Sequence, residues 1–313
     1  MQLAGRETGS TINLGMDLHT CILNYIYALY RSEFSAYAPL HSMGYFGRPD
    51  PALLDSSAKK LTPDFISYGV QGDVQILDVK SFDKLDDLPT PEERVGKIEE
   101  RISELERYHD IDGSSVVDYF SKFHVLVRDR QELIVVVPET IYATYKDVVE
   151  EASKRCSAIL WKIDVDTRKL IKISGTHIAN RLEQLMNGGI NLYPTFPDLI
   201  FFTRDSRKER VLIQFIEHLV SCLVNEHRIE FSFDEVDGIV TDSKRSRPPI
   251  FEHLPVEERK ESWRYYLQRC IDLGVIVGSR SRPNSYVLAK PTVLEIPYAR
   301  NRILDEVRKK LRL

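Results

Sequence analysis

Three side chains in the stretch LTPDFISYGVQGDVQILDVKSF, residues 61–82, have types and spacing suited to metal chemistry. Asp64 follows Pro63, and Asp78-Val79-Lys80 closes a second apolar run. Residues two apart in a strand share a side, so Asp78 and Lys80 project together while Val79 faces away. Pro63 restricts the backbone leading into Asp64, and a hairpin would bring Asp64 beside Asp78. Two carboxylates and the backbone carbonyl of Val79 make an all-oxygen set that suits Mg²⁺ or Mn²⁺. Such a cation polarises a phosphoryl oxygen and lowers the pKa of a bound water. Lys80 would orient that water and offset charge in the transition state. Carboxylates alone would hold a metal; the added lysine points to phosphodiester hydrolysis.

The elements around these residues follow from apolar spacing. Residues 13–30 read as a helix, with Ile22, Leu23, Ile26, Leu29 and Tyr30 on one face. Residues 37–60, rich in Pro, Gly, Ser and Asp, read as an irregular loop. Strands follow at 65–68 and 73–80, with Gly69 and Gly72 between them. Thr90-Pro91-Glu92-Glu93 reads as a helix start, with a capping Thr, Pro at the first position and Glu closing a capping box. ELIVVV at 132–137 has the near-continuous apolar character of a strand buried on both faces. A helix at 142–154 and strands at 159–165 and 170–174 complete a mixed sheet with packed helices.

At Pro63-Asp64, a 13-residue spacer and Asp78-Val79-Lys80, the chain resembles the PD-(D/E)xK nuclease superfamily. The order of elements over about the first 200 residues is similar to that family's core. The resemblance implies a restriction-endonuclease-like α/β fold, with Asp64 and Asp78 on the metal and Lys80 on the attacking water. It also implies an acidic residue on the leading helix, for which Asp17 is the candidate, followed by Glu33 and Glu7. Pro-Asp recurs at Pro49-Asp50 and Pro197-Asp198, and Asp/Glu-x-Lys at Asp242-Ser243-Lys244 and Glu258-Arg259-Lys260. Only the 64–80 set joins both halves across a hairpin. Two other readings stay open: an ordinary surface ion pair, which stabilises little, and a nuclease fold that only binds.

The 313 residues favour two domains, with the break placed at 205/206. In the second part, helices are expected at 210–227, 234–240 and 257–273, followed by strand, Arg-rich turn and strand at 275–289. Three helices and a basic hairpin form a winged helix-turn-helix pattern. A basic amphipathic helix at 298–313 could pack on a partner or a second copy. Residues 280–313 hold nine basic and three acidic side chains, whereas the whole chain carries a net charge of -4, so DNA contact must be local. Candidate contacts are Arg280 and Arg282 at the wing, Lys244, Arg245 and Arg247 in the preceding loop, and Arg264 on the third helix, with Arg269 beside it.

Several classes are disfavoured. No apolar run reaches membrane-span length, and the N-terminus lacks the pattern of a secretory signal. The dispersed Cys21, Cys156, Cys222 and Cys270 fit reduced thiols in a cytoplasmic protein. His109, His124 and His177 lack metal spacing, Trp161 and Trp263 read as core anchors, Ser67 and Ser81 lack a triad, and no phosphate-binding Gly-Lys loop occurs. The combined expectation is a metal-dependent DNA endonuclease of a transposon or a phage-defence system, with a partner transposase or defence subunit and a possible homodimer. The alternative is an inactive DNA-binding or assembly module.

Overall fold

A computed structural model describes residues 17–31, 38–70, 72–82, 85–127, 130–192, 202–241, 250–280, 282–289 and 299–311. The chain divides into two compact units, Met1–Phe196 and Pro197–Leu313. The division precedes the expected 205/206 because Phe202 is buried in the core of the second unit.

The first unit is mixed α/β. Helix α1 (Leu18–Leu29) and the short α2 (Pro39–Ser42) precede strands β1 (Phe46–Pro49), β2 (Leu53–Leu54), β3 (Lys60–Leu61), β4 (Phe65–Tyr68) and β5 (Val74–Val79). Then come α3 (Pro91–Ser103), a 3₁₀ segment (Glu104–Asp110), α4 (Gly113–Ser121), β6 (Gln131–Pro138), α5 (Glu139–Arg155), β7 (Ile159–Asp164), β8 (Lys169–Ser174), α6 (Asn180–Gly188) and β9 (Ile190–Asn191). Seven strands form one sheet in the order β1-β4-β5-β6-β7-β8-β9. Its centre, β5-β6-β7, is parallel, and its flanks are antiparallel.

Alternation along β5 separates two faces. Val74 and Ile76 join Leu133, Val135 and Val137 of β6 in a core covered by Ile98 and Ile102 of α3, Phe120 of α4 and Val149 of α5. Asp78 and Lys80 continue that face beyond the core. On the opposite face Phe65 packs against the Tyr27 and Tyr30 rings of α1 at 5.9 and 4.9 Å. The expected start of α3 is present: Thr90 Oγ1 accepts from Glu93 N–H at 3.2 Å, with Pro91 at the first position.

The expected loop at 37–60 instead holds α2, β1, β2 and the start of β3. Strand β1 was hidden by Gly47, because glycine weakens a strand pattern. A Cβ at Gly47 would lie 2.1 Å from Phe65 Cζ, so the missing side chain is what lets β1 pair with β4 over that ring.

The second unit contains α7 (Lys208–Asn225), β10 (Glu230–Ser232), α8 (Phe233–Thr241), α9 (Val256–Asp272), β11 (Ile276–Gly278), β12 (Ser285–Leu288) and α10 (Ala299–Leu311). Its three strands form an antiparallel sheet in the order β10-β12-β11. Phe215, Ile216 and Leu219 of α7 meet Trp263 and Leu267 of α9 and Ile303, Leu304 and Val307 of α10 in one core. The apolar face of the last helix is therefore used within its own unit. Among the described residues, no helix is long and apolar enough to cross a membrane, and all four cysteines are free thiols.

Candidate functional site

The open end of the β4–β5 hairpin assembles the site. Phe65 pairs with Leu77, so Asp64, one residue earlier, stands across from Asp78. The backbone there is pinned from the edge strand, since Asp50 N–H donates to the Asp64 carbonyl at 2.9 Å. Asp64, Asp78 and Lys80 are each only 5–6% exposed. Asp64 Oδ2 accepts the Val79 N–H at 2.6 Å and lies 3.1 Å from His19 Nε2. Val79 therefore already engages the cluster through its amide. Lys80 Nζ lies 2.9 Å from Asp78 Oδ2 and 3.3 Å from Glu104 Oε2. Arg101 reaches the other oxygen of Glu104 at 3.3 Å.

Burial, and then the nearby Asp64 charge, push the Asp78 carboxyl up to about 7, against the opposing pull of Lys80. Asp78 Oδ2 accepts no hydrogen bond of adequate geometry despite its closeness to the ammonium. The ammonium offsets the Asp78 charge in part, while burial and Asp64 oppose it. Two buried carboxylates beside one ammonium fit a divalent cation, whose charge would favour their ionised forms.

The leading helix brings two side chains to this end of the sheet. Asp17 caps α1: Oδ1 accepts Thr20 N–H at 2.8 Å and Oδ2 accepts the Thr20 hydroxyl at 3.0 Å. The side chain of α1 that reaches Asp64 is His19, two residues on. Glu7 and Glu33 lie outside the described residues.

Beneath the hairpin, on the α1 face, lies a second buried polar group. Gln75 of β5 accepts from Tyr30 and Ser67 hydroxyls at 3.1 and 2.7 Å and donates to Glu132 Oε2 at 3.2 Å. Trp161 Nε1 donates to His177 Nε2 at 3.1 Å, and His177 Nδ1 lies 2.9 Å from Glu132 Oε2. An indole N–H only donates. His177 is thus the neutral Nδ1–H tautomer and donates to Glu132. This histidine is a core residue, and the network ties α1 and the β8–α6 connection to the central strands.

The other Asp/Glu-x-Lys motif within the described residues is structural. Arg259 forks onto Asp237 at 2.7 and 2.8 Å, joining α9 to α8, and Trp263 Nε1 donates to the same carboxylate at 2.9 Å. Burial opposes the Asp237 charge, but these bonds hold its carboxyl below the usual range. Glu258 pairs with Arg204 at 2.6 Å and Lys260 with Glu257 at 3.3 Å. Arg280 and Arg282 are exposed between β11 and β12. Arg264 is exposed on α9, with its guanidinium 5.4 Å from the Phe233 ring centre. Arg269 pairs with Asp272 at 3.4 Å. Lys244, Arg245 and Arg247 lie outside the described residues.

No family model and no curated protein matches the chain. Among solved structures it is similar to an XisH family protein from Nostoc punctiforme PCC 73102, with 13% identity and a TM-score of 0.27. That match covers 46% of this chain and 92% of the other.

His19 and Glu104 were the site residues that sequence reading missed. Each is far from its partner along the chain, 45 residues for His19–Asp64 and 24 for Glu104–Lys80. A titratable side chain in the first turn of the leading helix was the available signal for His19. Glu104 ends a helix of alternating charge and carries no local signal.

Proposed function

We propose that the protein is a divalent-metal-dependent nuclease that hydrolyses DNA phosphodiester bonds, with a restriction-endonuclease-like first unit. The observation that carries this reading is the burial of Asp64, Asp78 and Lys80 together at one hairpin end, two carboxylates beside one ammonium. Asp64 and Asp78, with the Val79 carbonyl, are the residues that would hold Mg²⁺ or Mn²⁺. When bound, such a cation supplies Lewis acidity toward a phosphoryl oxygen and toward water. Val79 N–H and His19 orient Asp64. Asp78 and Glu104 hold the Lys80 ammonium in place, where it can donate to an attacking water or to a phosphate oxygen.

The second unit supports a duplex-binding role. Its order of helices and its three-stranded sheet fit a winged helix, with Arg280 and Arg282 at the wing and Arg264 on the third helix. Phosphate contacts by these arginines would position the duplex. A transposition or phage-defence setting with a partner subunit, and a dimer cutting both strands, extend the same reading.

One observation favours the runner-up, an inactive DNA-binding module. The Lys80–Asp78 pair places a lysine charge on a carboxylate that would hold metal. The test is cleavage of supercoiled plasmid and labelled oligonucleotides in Mg²⁺, Mn²⁺ or EDTA, with Asp78→Ala alongside. Metal-dependent nicking lost in Asp78→Ala is the expected result. DNA binding that is equal in EDTA and Mg²⁺, with no cut, would establish the module instead.

A further inference from the structure

We infer that Arg107 is a phosphate-binding residue at the mouth of the hairpin site, held in place by Tyr108, a role that rests on the nuclease reading for the identity of the anion. The 3₁₀ segment after α3 repeats every three residues, so side chains three apart fall in line. Leu105 and Tyr108 form one line, buried in the core with Ile98 and Ile102 of α3. Glu106 and His109 form the second, against the end of α5. Glu106 Oε1 lies 4.0 Å from Cys156 Sγ, and His109 Nε2 lies 2.7 Å from the Cys156 carbonyl oxygen. Glu104 and Arg107 form the third. Glu104 reaches the Lys80 ammonium, so this line faces the site, and the two packed lines fix its direction. Exposure rises along it. The Lys80 side chain is 4% exposed and that of Glu104 28%, and Arg107 is exposed. A ligand coming from this side meets Arg107 first.

The guanidinium is positioned, yet most of its donors are unused. Its carbon lies 4.9 Å from the Tyr108 ring centre, and Nη2 donates to the Tyr108 hydroxyl at 3.0 Å. Among the described residues it pairs with no carboxylate. Glu104, the carboxylate in line with it, bonds instead to Lys80 and Arg101. Partial burial opposes the Arg107 charge, while Tyr108 and then the Asp78 and Glu104 charges raise its pKa above the usual value. Asp78 is therefore within electrostatic reach of Arg107. A guanidinium has five N–H donors, and those left over can grip a phosphate in a bidentate fork. The charges at the site point the same way. Asp64 and Asp78 offset a divalent cation, and Glu104 offsets one of Lys80, Arg101 and Arg107. The remainder is positive, which suits the single negative charge of a phosphodiester.

Binding tests this role apart from cleavage. Full-length protein and its variants, checked for folding by circular dichroism, would be titrated with a blunt DNA duplex by fluorescence anisotropy in EDTA over a range of NaCl. Arg107→Gln should weaken binding about tenfold or more, the loss of a charge-assisted hydrogen-bonded contact, and lower the salt slope by about 0.9, one phosphate. Arg107→Lys should keep the slope and recover only part of the affinity, because an ammonium makes no fork. Tyr108→Phe keeps the ring and removes the hydroxyl. It should weaken binding about two- to tenfold with the slope unchanged, and add nothing in the Arg107→Gln background. Unchanged affinity and slope in Arg107→Gln overturn the phosphate contact, as does a wild-type protein that binds no duplex. A Tyr108→Phe loss that adds to that of Arg107→Gln overturns the holding role of Tyr108. Wild-type protein that never cuts with any metal, yet loses affinity and slope in Arg107→Gln, sinks the nuclease reading and keeps the contact.

Discussion

Replacing Asp78 by Asn should stabilise the first unit at neutral pH while abolishing metal-dependent activity. The Asp78 carboxyl stands near 7 instead of 3.8, raised by burial and by Asp64. An acid whose folded-state pKa is raised binds its proton more tightly in the native state. The unfolded chain then releases protons first, so stability is fully present below about pH 4 and is lost as pH rises to about 7. At 1.36 kcal/mol per pKa unit, the loss between pH 5 and 8 is about 3 kcal/mol. Asn at 78 carries no charge and should remove that slope. Trp161 belongs to the first unit and Trp263 to the second, so urea unfolding in a Trp263→Phe background follows the first unit by fluorescence. In EDTA the parent should lose about 3 kcal/mol from pH 5 to 8, and Asp78→Asn should stay nearly flat. Adding Mg²⁺ at pH 8 should stabilise the parent and leave Asp78→Asn unmoved. Equal pH slopes for parent and variant would refute the claim that a buried carboxylate of raised pKa sits at the hairpin end.

Three further outcomes are expected. Lys80→Ala should lower single-turnover cleavage by about a hundredfold or more, while Mg²⁺ affinity by calorimetry holds or rises because the ammonium 2.9 Å from Asp78 is gone; cutting at the normal rate would remove Lys80 from the mechanism. Gly47→Ala should destabilise the first unit by about 1–3 kcal/mol, because the new methyl meets the Phe65 ring at 2.1 Å between two tyrosines; an unchanged urea midpoint would show that the ring moves freely. Asp237→Ala should cost the second unit about 2 kcal/mol by removing the carboxylate partner of Arg259 and leaving the Trp263 N–H without its acceptor, and Arg259→Met in the same chain should recover part of it.

The hairpin carrying Asp64, Asp78 and Lys80 was legible in the sequence because each half is a local signal. Period-two alternation fixes which way Asp78 and Lys80 project, and Gly69 and Gly72 mark the turn. The start of α3 at Thr90-Pro91 and the buried strand at ELIVVV were legible for similar reasons. Strand β1 was not. Its Gly47 and Pro49 read as loop, and only the Phe65 ring opposite explains why a residue without a side chain is needed there. Asp17 was assigned to the site from the resemblance. In the structure its carboxylate caps α1 by a local bond to Thr20, three residues away.

By itself the sequence determined what its short periods encode: strands β4 to β8, helices α1, α3, α5 and α7 to α10, and a pair of carboxylates with a lysine on one hairpin. Tertiary structure decided what else meets that hairpin. His19 reaches Asp64 across 45 residues and Glu104 reaches Lys80 across 24. Arg48 lies on the Phe123 ring, 75 residues further along the chain. Contacts of that kind depend on how helices pack over a sheet, and the packing is set by the sum of many buried surfaces. A single side chain leaves no periodic trace of it.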